Sequence, residues 1–368
     1  MTVPAALEDV RASAYTIPTD GPEADGTLAW DSTTLVLVEA SAGGRTGLGF
    51  TYGPSACAAL VGDLLRDAVL GRDALDVPGA WSAMVKEIRN AGRPGICSMA
   101  IAAADLGLWD LKARLLDVPL VALLGKTRDH VPLYGSGGFT TYPDARLAEQ
   151  VGAWVHDDGI PRVKIKIGQD WGTDEERDLE RTALARKVIG DGAELFVDAN
   201  GAYSRKQAAR MARRLGEFGV TWFEEPVSSD DLDGLREIRD LTDIDVAAGE
   251  YGYDLVYFER MCAAGAVDCL QIDVTRCGGI TEFVRAAAVA AAHGLEVSGH
   301  TAPSMHAHVA CAVPNLRHLE YFHDHVRIER LLFDGVLDPE YGSLTPDLTV
   351  PGHGLTFKQR DAERFRKD

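Results

Sequence analysis

The chain has 368 residues, 46% of them hydrophobic, and a formal net charge of −19. That length suits a barrel of about 250 residues plus a smaller domain. The acidity argues against a nucleic-acid partner, which needs a basic face to neutralise phosphates. No apolar run approaches the roughly 20 residues of a membrane span, so no membrane partner is expected. Residues 1–14 lack the basic-then-apolar pattern of a secretory signal, and a cytoplasmic location is expected. The cysteines (Cys57, Cys97, Cys262, Cys269, Cys277 and Cys311) form no C-x-x-C pair and read as small buried hydrophobes.

In chain order, residues 18–26 (PTDGPEADG) combine turn formers with no periodicity and predict a mobile loop. Residues 33–39 (TTLVLVE) are β-rich, and the glycine-rich stretch 41–53 predicts a turn and a strand. Helical patterns follow at 56–70 and 99–116, so residues 1–127 read as an α+β domain. From residue 131 the texture changes. Short β-branched runs alternate with helix-length segments: VPLYGS at 131–136, RVKIKIG at 162–168, ELFVDAN at 194–200, TWFEEP at 221–226, DVAAGE at 245–250, DCLQIDV at 268–274, LEVSGH at 295–300 and RHLEYF at 317–322. Alternation of this kind implies a parallel sheet, and eight units point to a closed (β/α)8 TIM barrel over residues 128–333. The tail from about residue 334 is rich in proline and glycine and is expected to pack back on the rest.

Polar residues stand where these runs end: Asp198, Glu224, Glu250, Asp273, His300 and Glu320, with Lys164 and Lys166 in the second run. Each is about one βα unit from the next, so all can converge on the C-terminal face of a barrel. Asp198, Glu224 and Glu250 on consecutive strands repel one another unless a cation lies between them, and all-oxygen ligation suits Mg2+. Lys164 and Lys166 share one face of a strand, with Val163, Ile165 and Ile167 on the other. A closed barrel has no edge on which to solvate them, so they need anions. Mutual repulsion and desolvation are expected to lower a lysine pKa toward that of a useful base. Asp273, one strand before His300, can fix the imidazole tautomer and raise its basicity. Such a site can bind a substrate carboxylate and remove the neighbouring proton, because cations already in place stabilise the enediolate more than the ground state.

The segments VKIKIG, VDANG, FEEP, AAGE, QIDVTRCGGIT, SGHTAP and HLEYF resemble the enolase superfamily, in its mandelate racemase-like subgroup. The resemblance covers nearly the whole chain. It implies a modified TIM barrel with an α+β N-terminal capping domain completed by the C-terminal tail. It implies one Mg2+ per site on Asp198, Glu224 and Glu250, with Lys166 as one acid/base and the Asp273–His300 dyad as the other. Lys164 is then expected to contact the substrate carboxylate, and Glu320 to hydrogen-bond it as a proton-bearing electrophile. The expected partner is a small-molecule carboxylate, and the expected assembly an even-numbered homo-oligomer.

No lysine occurs in residues 271–280, which argues against the cycloisomerase and dipeptide epimerase type of relative. The favoured reading is a hydro-lyase that dehydrates a polyhydroxy (sugar) acid to a 2-keto-3-deoxy acid. The alternatives are a racemase or epimerase of an α-hydroxy acid, and a non-catalytic ligand-binding barrel. Asn200, Tyr134 and Arg276 are offered as substrate contacts, and the loops 18–30 and 50–54 as the source of specificity. His306 and His308 read as helix residues, His323 and His325 as loop residues just beyond Glu320 with a pocket role as the alternative, Glu225 as support for the metal ligands, and Gly278-Gly279 as turn chemistry.

Overall fold

The computed structural model describes residues 5–367. Its N-terminal part is an antiparallel sheet of β1 (Asp9–Ala24), β2 (Ala29–Ala42) and β3 (Arg45–Tyr52), with the tail strand Arg366–Lys367 added outside β1. The two-residue period of β2 divides its side chains between two cores. Leu35 and Leu37 join the core shared with the barrel, whereas Val36, Val38 and Ala40 join a second core with the helix Ile96–Leu116. That helix lies so close to β3 that a Cβ at Gly49 would stand 2.2 Å from the carbonyl oxygen of Ala103.

Residues 18–26 differ from the expected mobile loop. β1 runs through most of them, pairing Pro18 with Ser32 and then Glu23 with Trp30, so the residues between form a bulge. The prolines at 18 and 22 interrupt the ladder because they carry no N–H. Their carbonyls are taken instead by the barrel: Arg327 donates to Pro18 O at 2.8 Å and Thr141 Oγ1 to Pro22 O at 2.6 Å.

The eight barrel strands are β4 (Val131–Gly137), β5 (Arg162–Lys166), β6 (Glu194–Asp198), β7 (Val220–Glu224), β8 (Asp245–Ala248), β9 (Cys269–Ile272), β10 (Glu296–Gly299) and β11 (Leu316–Phe322). All neighbours are parallel, and β11 pairs with β4 to close the ring. Val163, Ile165 and Ile167 face the surrounding helices in the main core, as their spacing from the lysines requires. Tyr134, Phe196, Trp222, Ala247 and Cys269 form a separate buried cluster. In the tail, the strand Ser343–Leu344 pairs with β4, and His353 contacts Leu48 O at 2.8 Å. All the cysteines are buried free thiols. Among the described residues, no helix is long and apolar enough to cross a membrane.

Candidate active site

Register brings the acids together. Lys166 on β5 is level with Asp198 on β6, and Asp198 is level with Glu224 on β7. Glu250 lies just beyond β8, after Gly249, whose φ is +135°. A Cβ there would stand 2.2 Å from the backbone oxygen of Gln271, so only glycine lets the chain turn Glu250 inward. One carboxylate oxygen from each of Asp198, Glu224 and Glu250 lies within 4.8 Å of the others, and all three residues are buried. Donors hold them there. Trp222 Nε1 donates to Glu224 Oε2 at 2.9 Å, Gln271 Nε2 to the same atom at 3.2 Å, and Asn200 N to Asp198 Oδ1 at 2.8 Å. Burial and the charge of Asp198 push Glu224 up to about 8. Glu250 Oε2 has no hydrogen-bond donor, although His300 Nε2 lies 3.2 Å away. Crowded buried carboxylates with an open oxygen fit a hard dication. Glu225, beside Glu224, is buried but stands outside this triad. A second group, Asp20, Glu23 and His323, is also compact, but Arg146 Nη2 already pairs with Asp20 at 2.8 Å.

Lys164 is fully buried, with Nζ 2.6 Å from Glu224, 2.8 Å from Glu320 and 3.6 Å from Asp198. Lys166 Nζ lies 2.5 Å from Asp198. While the acids are not compensated by a cation, the expected lowering of their pKa does not occur. Burial pulls both down, but the carboxylates outweigh it: Glu224 and Glu320 for Lys164, Asp198 for Lys166. Both lysines therefore lie above their ordinary value.

His300 Nδ1 is 2.8 Å from Asp273 Oδ2, and its Nε2 is 3.6 Å from Glu320 Oε2. Burial pulls the imidazole down, yet Glu250, Glu320 and Asp273 together raise it to about 10. Asp273 accepts from the N–H and hydroxyl of Thr275, both at 2.7 Å, which fixes its orientation.

Lys166, His300, Glu250 and Glu320 border one cavity of about 370 Å³ that opens between the barrel and the N-terminal sheet. Asn200 and Arg276 border it too, and the Oδ1 of Asn200 is buried without a partner. Tyr134 does not. It sits under Lys164, 5.2 Å from the Nζ, and its hydroxyl accepts from Gln271 Nε2 at 3.1 Å. Its strand position points it into the packed interior below the mouth, so packing replaces the substrate contact expected of it. His325, for which a loop role is the favoured expectation and a pocket role the alternative, takes the alternative. It lines the cavity from the first turn of the helix His323–Leu332, which follows β11 directly. The strand-end rule that selects Glu320 would have reached it if carried into the following helix. His306 and His308 lie buried on the helix Pro303–Ala310, and the N–H of Val274 donates to His306 Nε2 at 2.9 Å. Gly279 starts the helix Ile280–Ala292, whose Thr281 N–H donates to Asp105 at 3.0 Å, so a side chain already occupies that helix end.

A closed β/α barrel, capped by an antiparallel sheet and carrying three acids on consecutive strands beneath a lysine and a histidine, defines a class of barrel enzyme. The chain belongs to the mandelate racemase/muconate lactonizing enzyme family of the enolase superfamily. The N-terminal domain of that family matches residues 16–125 and the enolase C-terminal domain-like family matches residues 146–362. It is 32% identical to a 3,6-anhydro-alpha-L-galactonate cycloisomerase of Streptomyces coelicolor, over 98% of each chain. It is 31% identical to the L-talarate/galactarate dehydratase of Salmonella typhimurium, over 86% of this chain and 81% of the relative. A structure of the Salmonella enzyme liganded with Mg and L-lyxarohydroxamate superposes with a TM-score of 0.91 at 28% identity, covering 100% of this chain and 94% of that one. A mandelate racemase/muconate lactonizing enzyme-like protein from Rubrobacter xylanophilus superposes with a TM-score of 0.95 at 52% identity, covering 98% and 100%.

Proposed function

We propose that the protein dehydrates a sugar acid in a magnesium-dependent reaction that begins with removal of the proton beside the carboxylate. One observation carries this reading: Lys166 and His300 border the same cavity as the acid triad's Glu250, from strands separated only by β4 and β11. A dication held by Asp198, Glu224 and Glu250 supplies positive charge where the substrate carboxylate becomes more negative, and offsets the acids that otherwise keep Lys166 protonated. Glu320 borders the cavity where the substrate carboxylate would lie, and Lys164, buried behind it with Nζ 2.8 Å from Glu320 and 2.6 Å from Glu224, balances those acids. Lys166 Nζ takes the proton from C2, and the C–H electron pair moves into the bond between C2 and the carboxylate carbon. His300, an imidazolium in its acid surroundings, gives its Nε2 proton to the 3-hydroxyl, which leaves as water. As the C3–O bond breaks the pair moves on into a C2–C3 double bond, and the resulting enol gains a proton at C3 and loses its C2 hydroxyl proton to become the 2-keto-3-deoxy acid. Asp273 positions His300, and Arg276, with Nη1 3.3 Å from Glu250 Oε1, positions that carboxylate.

The test is a panel of mono- and diacid sugars with magnesium, assayed for keto-acid formation and repeated with chelator. Formation that stops with chelator supports the proposal. Deuterium from solvent at C2 of an otherwise intact substrate would replace it with racemisation. The Streptomyces relative favours cycloisomerisation as a second reading, which a ring-opened or ring-closed isomer without loss of water would establish. The same family reading carries a cytoplasmic homo-oligomer, whose stoichiometry sedimentation would count.

A further inference from the structure

The cavity has two unlike walls. The barrel side supplies its cations, Lys166, Arg276 and His300. Each already faces acid groups: Lys166 pairs with Asp198 at 2.5 Å, Arg276 with Glu250 at 3.3 Å and Asp273 at 3.4 Å, and His300 with Asp273 at 2.8 Å. The N-terminal side presents Asp25, Trp30, Ser32, Thr33, Thr34 and Tyr52, and none of its residues at the cavity is a lysine or arginine. The carboxyl groups behind that wall offer no free cation either, Asp324 being paired with Arg327 and Glu23 raised to about 8 by burial. Thr33 Oγ1 donates to Asp324 at 2.5 Å, and Trp30 Nε1 donates to the buried Glu23 at 2.8 Å. The nearby Arg327 and Arg146 are paired with Asp324 and Asp20 and do not line the cavity. His325 closes the gap between the walls. Its Nδ1 accepts from the N–H of Ala302 at 3.3 Å, which places the proton on Nε2, and Tyr52 stacks on the ring at 3.5 Å. Burial keeps that imidazole neutral.

We propose that this cavity selects sugar acids with a single carboxylate (aldonates) over sugar diacids (aldarates), seating the hydroxylated end against the cap wall. The inference rests on the proposed function in one respect, that the reacting carboxylate lies at the acid triad. A second carboxylate at the other end would lose its water beside Asp25 with no counter-ion. Hydroxyls there meet neutral groups: the oxygen lone pairs of Ser32 and Thr33, whose own protons go to Asp31 and Asp324, the Thr34 hydroxyl shared with Thr16, the Tyr52 hydroxyl and the His325 Nε2–H.

The test uses the full chain loaded with magnesium. Calorimetric titration and keto-acid assay compare pairs that differ only at the far carbon, D-gluconate with D-glucarate and D-galactonate with galactarate. The better-bound aldonate is expected to exceed its diacid partner by at least about 100-fold, in Kd and in kcat/KM where turnover occurs. Equal or tighter binding of the diacid overturns the inference, and so does the absence of binding by both classes. Binding of aldonates without keto-acid formation supports the inference while removing dehydration as the activity. In Ser32→Arg the new cation on the cap wall is expected to narrow the preference at least about tenfold, and an unchanged ratio refutes the assignment of selectivity to that wall. If this variant does not fold, the comparison on the unaltered protein still decides.

Discussion

Replacing Lys164 with methionine removes one positive charge from a fully buried cluster at nearly constant volume. Its Nζ lies 2.6 Å from Glu224 and 2.8 Å from Glu320, with Asp198 at 3.6 Å. Breaking a buried ion pair from one side costs about 3–5 kcal/mol, because the remaining charges keep their desolvation without their partner. Unfolding entropy of about 2.1 cal/mol/K per residue over 368 residues converts this to a Tm lower by about 4–6 °C in chelator. The same change leaves the triad more negative. Magnesium therefore binds the variant more tightly and is expected to raise its Tm by more than it raises that of the unaltered protein. Scanning calorimetry of both proteins, with chelator and then across a magnesium titration, reads both effects. A variant as stable as its parent in chelator would refute the account of Lys164 as the counter-ion of these acids. A smaller magnesium gain in the variant would refute the triad as the cation site.

Lys166→Ala and His300→Asn are each expected to lower kcat by about 10²–10⁴-fold, as loss of a general acid or base does, while keeping the magnesium-induced rise in Tm. Unchanged turnover in either would remove that residue from the proton transfers. Gly249→Ala puts a Cβ 2.2 Å from a backbone oxygen at φ +135°. The magnesium-induced Tm shift is expected to vanish because Glu250 is displaced, and a retained shift would contradict that geometry. Glu23 is raised to about 8 by burial and by Asp324, against the opposing hydrogen bond from Trp30. Between about pH 4.5, where the carboxyl ionises in the unfolded chain, and about pH 8, the folded chain holds the extra proton. Stability is therefore expected to fall as pH rises through that window, by up to about 1.4 kcal/mol per unit. Glu23→Gln removes this contribution, so chemical denaturation from pH 5 to 8 should show a shallower decline in the variant, and parallel curves would refute it.

The barrel was legible because its signals are local. Strand runs such as RVKIKIG and ELFVDAN carry their own β-branched pattern, and each is followed by a helix-length segment, so eight units could be counted without knowing their contacts. The strand-end acids were legible for the same reason, since a barrel sends every strand end to one face. Residues 18–26 misled because turn formers mark an interruption of pairing, and a bulge anchored by Thr141 and Arg327 interrupts pairing as a loop does.

The order of the chemistry along the chain, with Lys166 before Asp198, Glu224, Glu250 and His300, was set by the sequence itself, since strand period and barrel topology leave those side chains one place to meet. Tertiary structure alone decided what surrounds them. The upward shift of the lysines, the burial of Tyr134 under Lys164 and the arrival of His325 in the cavity depend on groups brought together by folding. So does the cap wall, where Thr33 reaches Asp324 across 291 positions of sequence. Charge and burial act through distance in space, and no periodicity along the chain encodes that distance.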